Sequence, residues 1–181
     1  IILTVPKDDK FNLFNKISKR HNISCYAPRC KPENVLKRFY LTSKKFNSQH
    51  IIRITSDCPF INIYTIKKMI NYYIENRLNF LTNNKPRYVP HGFDCEIFSG
   101  DLLKKTFQKA KSLYDLEHVT PWIYKKNFKK INNIRLIKKN YSNLRITLDT
   151  ISDYNFFIEN FKILKKISKS KNFVSLLKKL P

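Results

Sequence analysis

The sequence predicts an α/β protein, with helices on both sides of a mostly parallel sheet. Short β-branched runs such as Ile1 to Val5 and Ile51 to Thr55 alternate with longer segments whose apolar residues recur at helical spacing. The 181 residues, 42% hydrophobic and 14% aromatic, are enough for an ordinary core in a single domain spanning residues 1–181.

Composition narrows the function classes. No apolar run reaches the roughly eighteen residues of a membrane span, and Ile1 to Val5 lacks the basic flank and length of a signal peptide, so the expectation is a cytoplasmic protein without a membrane partner. A net charge of +23 invites a nucleic-acid surface. The lysines, however, are spread along the whole chain among Asn and Ile, which favours solvated faces over a nucleic-acid patch. Such a surplus still attracts polyanions, a nucleoside triphosphate included. Cys25, Cys30, Cys58 and Cys95 form no C-x-x-C pair and the four histidines are scattered, so the cysteines read as reduced thiols rather than metal ligands.

Taken in order, Ile1 to Val5 is a strand. Phe11, Leu13, Phe14 and Ile17 form one helical face, with Asp8 and Asp9 suited to its first turn. Ile23 to Tyr26 is a short strand, Pro28 and Pro32 bracket a loop, and Glu33 to Phe46 is a helix carrying Val35, Leu36, Phe39 and Tyr40 on its apolar face. Arg38 projects from that helix, toward a phosphate or toward solvent. Ile51 to Thr55 is a strand, Pro59 ends the extended run, and Ile63, Ile66, Ile70, Tyr73 and Ile74 stripe a helix to about Asn76. Asn79 to Thr82 is a strand. The polar segment from Asn83 to His91 is a loop in which Tyr88 and His91 either contact a ligand or simply pack.

From Phe93 to Phe98, alternation puts Asp94 and Glu96 on one side of a strand, either as a working carboxylate pair or facing water. Ser99 is an N-cap for a helix over Asp101 to Lys111, and Glu117 to Ile123 begins another helical segment. Asn133 to Ile137 and Leu144 to Leu148 read as β segments. Ser152 or Asp153 caps a long helix with Tyr154, Phe157, Ile158, Phe161 and Leu164 on its face, and the basic tail 165–181 packs as a terminal helix through Phe173, Val174, Leu176 and Leu177.

Asp57 falls just past the carboxyl end of a strand, where α/β sheets bind ligands, although an Asp there also often serves only a turn. Around it, Arg53-Ile-Thr-Ser-Asp-Cys-Pro-Phe-Ile61 resembles the R-[IL]-T-G-D-C-P-L-I-D signature of the cytidylyltransferases that make CMP-activated sugars. Four more segments match in the same order. Glu33 to Tyr40 resembles D-D-V-L-x-R-Y-Y, and Pro90 to Ser99 resembles P-D-G-L-D-V-E-V-F-S. Glu117 to Ile123 resembles R-E-H-V-T-P-Y-I with Leu116 in place of its Arg, and Leu144 to Asp153 resembles L-R-x-T-V-D-T-P-E-D. The closest branch is the spore-coat polysaccharide SpsF type, related to the CMP-KDO and acylneuraminate enzymes.

The resemblance implies a three-layer α/β/α, nucleotide-diphospho-sugar transferase-like (Rossmann-like) sheet. It also implies transfer of CMP from CTP to a sugar or sugar acid for surface polysaccharide or glycan synthesis. Asp57 and Asp149 would share Mg2+, and Arg53, Ser56 and Arg38 would hold the nucleotide. His91, Asp94, Glu96, Glu117 and His118 would face the acceptor. Only Gly92 and Gly100 occur, so the family's Gly-rich phosphate loop has no counterpart, and the resemblance reads the chain as truncated, without the first β-loop-α unit. An inactive remnant, a nucleotide-sugar glycosyltransferase and a basic nucleic-acid-binding module stand as alternatives, and a homodimer is left open. If the α/β assignment is right, far-UV circular dichroism will show substantial helix, and a spectrum without it contradicts the assignment.

Overall fold

The computed structural model describes residues 1–8, 10–126 and 131–180. In chain order its elements are β1 (Ile2–Thr4), α1 (Phe11–Arg20), β2 (Ser24–Tyr26), α2 (Val35–Lys45), β3 (His50–Arg53), α3 (Ile63–Glu75) and β4 (Phe80–Thr82). There follow β5 (Glu96–Ser99), α4 (Gly100–Lys109), α5 (Leu113–His118), α6 (Pro121–Lys126), β6 (Asn132–Asn133), α7 (Ile151–Glu159), α8 (Phe161–Lys169) and α9 (Phe173–Leu177). The alternation of strand and helix bears out the α/β class. The chain forms two compact units, one of residues 1–51 and 99–130, the other of residues 52–98 and 131–180.

In the first unit β1 and β2 pair in parallel, Ile2 opposite Ser24 and Thr4 opposite Tyr26, with α1 as the crossover that a parallel pair requires. Helix α1 starts at Phe11, later than its acidic flank suggests. Asp8 accepts a bond from the Lys10 backbone N–H instead of lying in the first turn, and Asp9 is outside the described residues. Asn34 caps α2 by accepting from the Lys37 N–H. Leu36 and Leu103 are fully buried, and Tyr40 stacks on Phe107 with centroids 4.3 Å apart, so α2 and α4 share an apolar seam.

The second unit carries most of the four-stranded sheet, ordered β3-β5-β4-β6. β4 runs antiparallel to β5 and parallel to β6. On one side, Met69 and Tyr73 of α3 pack onto Leu81, Cys95 and Ile97. A second cluster joins Val89, Phe93, Ile137 and Ile146 to Phe157, Leu164, Ile167, Phe173 and Leu177 of α7, α8 and α9. Asn62 serves two purposes at once. It caps α3 through its side-chain oxygen, while its amide donates to the Ile167 and Ser170 carbonyls at 2.6 and 2.9 Å, satisfying orphan groups at the end of α8.

Several expectations are corrected. β5 is shorter than Phe93 to Phe98 and has β3 and β4 along its two edges; Phe93, Cys95, Glu96, Ile97 and Phe98 are all buried, so side chains pointing to either face are covered. Its alternation signals two apolar environments rather than a wet face. Leu144 to Leu148 is not a strand but an extended segment joined to His91 by a single bridge at Arg145. Thr150 caps α7, and Asp153 completes the capping box as its third residue rather than acting as the cap. The long helix expected through Leu164 is two shorter ones, α7 and α8. Asn160 ends α7, its amide bonded to the Phe156 carbonyl, and Tyr154, Ile158 and Phe161 are left exposed while Phe157 and Leu164 enter the core. The basic tail forms the end of α8 and then α9.

Gly92 lies where no side chain fits. Its φ is +96°, and a Cβ there would stand 2.1 Å from the Ile146 carbonyl oxygen. Gly92→Ala should therefore cost roughly 2 kcal/mol or more, read as a lower urea midpoint at unchanged m-value; an unaltered midpoint would show that the 144–148 segment yields freely.

Candidate functional site

Beyond the end of β3, the Cys58 N–H donates to the Thr55 carbonyl at 3.2 Å, closing a tight turn that carries Ser56 and Asp57. Ser56 is exposed and Asp57 half-buried. Cys58 points inward, its Sγ 3.3 Å from both Thr55 Oγ1 and Asp57 Oδ1. Burial pushes this thiol up to about 12, which the Thr55 hydroxyl opposes and the Asp57 carboxylate reinforces. A buried thiol held that high is a packing group, not a nucleophile. Phe60 anchors the turn by meeting the Phe157 and Phe161 rings edge-on, at 5.0 and 5.9 Å.

The second aspartate is brought to this turn by the backbone. The Leu148 N–H donates to the Asp57 carbonyl at 2.9 Å, so Asp149 begins one residue from the other motif carboxylate. The same segment is held to His91 by two bonds, His91 N–H to the Leu144 carbonyl at 2.9 Å and Ile146 N–H to the His91 carbonyl at 2.8 Å. Asp149 itself is 48% exposed and ion-paired through Oδ2 with Arg145 Nη2. Arg145 also reaches Asp153, its Nε 3.2 Å from Oδ1. The Arg145 guanidinium and the Asp149 N–H hold the Asp153 carboxyl well below the usual carboxylate range; slight desolvation opposes them and Thr150 adds to them.

A third group of charges surrounds Asp94. Its Oδ1 takes Arg87 Nη2 at 2.7 Å and Asn84 Nδ2 at 3.0 Å, and the Gly92 N–H approaches Oδ2 at 3.4 Å. Asn83 fixes the loop's return by donating to the Phe93 carbonyl at 2.7 Å and accepting from the Cys95 N–H at 3.0 Å. The 83–91 segment is thus a braced turn. His91 is exposed; partial desolvation and the Arg87 charge hold its imidazole below the usual value, Asp94 opposing and Arg145 adding to the effect, so it is neutral at pH 7.

Glu96 does not share a wet face with Asp94. It is 3% exposed and paired at 2.8 Å with Arg53 Nη1, because a buried carboxylate on a central strand needs a charge partner. Arg38, in the first unit, is also buried, 7% exposed, which overturns the solvent-facing alternative. Its Nη2 donates to the Pro32 carbonyl at 3.1 Å and its Nη1 is buried without a hydrogen-bond partner. Glu117 and His118, also in the first unit, are exposed, and His118 packs against Tyr114 at 4.4 Å. The second unit therefore groups Ser56, Asp57 and Asp149 at one turn, Asp94 and His91 around one loop, and Arg53 with Glu96 inside the sheet. Sequence reasoning passed over Arg145 and Arg87; the spacing of Arg145 to Asp149 and Asp153, four and eight residues on, was the available signal.

No cluster of three or more His, Cys, Asp or Glu that could hold a metal occurs among the described residues. That is no obstacle to Mg2+, which binds proteins through one or two carboxylates and completes its shell with phosphate and water. Two hard oxygen donors on adjacent backbone segments, one of them half exposed, fit that requirement.

The profile describing Cytidylyltransferase matches residues 8–180. The chain belongs to that family. It is 30% identical over 168 residues to an uncharacterized protein of Methanocaldococcus jannaschii, the match covering 88% of this chain and 63% of the relative. The chain thus spans somewhat less than two thirds of that relative's length. Its fold is shared with a cytidylyltransferase from Leptospira borgpetersenii serovar Hardjo-bovis, at a TM-score of 0.87 and 24% identity over 98% of this chain and 74% of the other. No described helix is long and apolar enough to cross a membrane.

The depressed Asp153 carboxyl has a definite pH signature. Its folded value lies below the ordinary 3.8, so its contribution is complete above that value and is lost as pH falls through the folded one. Asp153→Asn should lower the thermal midpoint at pH 7, and the gap to wild type should narrow in melts at pH 2. A gap of constant size would remove the carboxylate's charge from the cap.

Proposed function

We propose that the full-length protein transfers CMP from CTP to a hydroxyl of a sugar or sugar acid, releasing pyrophosphate. The observation that supports this is the Leu148 to Asp57 backbone bond, which runs the main chain just before Asp149 alongside Asp57 past the end of β3. In this reaction the acceptor oxygen forms a bond to the α-phosphorus as the bond to the pyrophosphate oxygen breaks, and positioning and charge neutralisation matter more than a protein nucleophile. Asp57 and Asp149 would hold Mg2+, which supplies charge neutralisation at the phosphates.

The remaining roles follow from the surroundings of each group. Asp94 is braced by Arg87 and Asn84 yet retains lone pairs, which suits a carboxylate that accepts from sugar hydroxyls. His91, neutral beside it, has both a donor and an acceptor to offer. Arg53 pairs with Glu96 through Nη1, which helps keep the end of β3 and the following turn in place, while its buried Nε has no hydrogen-bond partner and suits a nucleotide oxygen. Ser56 is exposed at that turn and free in direction to meet the nucleotide. Arg38 has an unsatisfied buried nitrogen suited to an anionic oxygen. Glu117 and His118 are accessible for acceptor contact. Surface polysaccharide or glycan synthesis is the matching setting for such a product.

The test uses the full-length protein, CTP, Mg2+ and a panel of 2-keto sugar acids and simple sugars, with pyrophosphate as the readout. Asp57→Asn should reduce turnover at least about 100-fold with the thermal midpoint unchanged. Undiminished pyrophosphate release would take Asp57 out of the site, and turnover of UDP-sugars in place of CTP would assign a glycosyltransferase instead.

A further inference from the structure

Arg145 is held unequally by its two carboxylate partners. Asp153 meets the guanidinium twice, at Nε and at Nη2 (3.2 and 3.3 Å), and is itself anchored by accepting the N–H groups of Asp149 and Thr150, both at 2.9 Å. Asp149 meets it once, through Oδ2, on a side chain 48% exposed. Exposed ion pairs are weak and exchange readily. The Asp153 end is therefore the pivot and the Asp149 end the releasable contact.

We propose that Arg145 is a positioning residue that stands in for the metal at Asp149, neutralising that carboxylate until a divalent cation arrives together with the nucleotide. The inference rests on the functional reading above. A guanidinium and a divalent cation compete for the same oxygen, and the fixed positive charge beside it opposes a second cation. Without nucleotide, the pair Asp57 and Asp149 presents a divalent cation with one carboxylate that meets only the Cys58 thiol and one already neutralised. A triphosphate brings enough negative charge to reverse that balance, and Arg145 remains tied to Asp153 while Asp149 turns to the metal. The chain's +23 charge makes entry of the nucleotide favourable and entry of a bare cation unfavourable.

The experiment counts protein-bound Mn2+ by equilibrium dialysis of the full-length protein with and without CTP, so that Mn2+ chelated by CTP, present on both sides of the membrane, is subtracted. Arg145→Gln, which keeps hydrogen-bonding capacity and loses the charge, should bind Mn2+ about fivefold more tightly than wild type without nucleotide, while Arg145→Lys should behave like wild type. With saturating CTP the difference should fall below about twofold. Asp57→Asn separates the two levels of argument: it should abolish CTP-dependent Mn2+ binding if the functional reading holds. If Asp57→Asn loses that binding but Arg145→Gln binds bare Mn2+ no more tightly than wild type, the Arg145 inference alone is overturned; if Asp57→Asn binds Mn2+ as wild type does, both are.

Discussion

Three backbone hydrogen bonds, running from the segment 144–148 to His91 and to Asp57, hold the candidate site in its arrangement. They depend on a close approach at Gly92, where a side chain would collide with the Ile146 carbonyl. Because the bonds join main-chain groups, they set the position of Asp149 relative to Asp57 independently of either carboxylate. Behind them the cluster of Val89, Phe93, Ile146 and Phe157 excludes water, so exchanging these bonds for solvent would also expose apolar surface. A precise polar site is thus attached to a hydrophobic seam by a glycine.

Carboxylates are scarce in this chain, 13 acidic against 36 basic residues, and five of them are committed to a cation. Glu96 takes Arg53, Asp94 takes Arg87, Asp115 takes Lys125, and Asp149 and Asp153 share Arg145. The pairs differ in what they do. Glu96 with Arg53 is nearly dry, and removing one partner would strand a buried charge, so that pair enforces strand placement more than it adds stability. Asp149 with Arg145 is half exposed on both sides, so that pair is weak and screened by solvent. Burial, rather than residue type, separates the structural pair from the weak one.

The likeness in fold to the Leptospira protein and the family match over residues 8–180 agree with the order of motifs along the chain. The segments around Asp57, Asp94 and Asp149 lie at the turn after β3, at the entry to β5 and at the entry to α7. These are the places where backbone leaves regular structure and can serve a ligand.

Much of this was written in local sequence. The strand-and-helix alternation and the cap at Ser99 follow from periodicity and backbone chemistry that act over a few residues, and the α3 helix does too, although Ile63 and Ile74 of its expected stripe are exposed and Met69 is buried in their place. What tertiary structure alone decided was environment. That Glu96 is buried and Asp94 is not, that Arg38 is enclosed, that Leu144 to Leu148 pairs by one bridge instead of a ladder, and that Asn160 breaks the last helix all depend on neighbours distant in the chain. Alternation reports that a residue faces a side; only the packed partner determines whether that side is water, a hydrophobic core or an arginine.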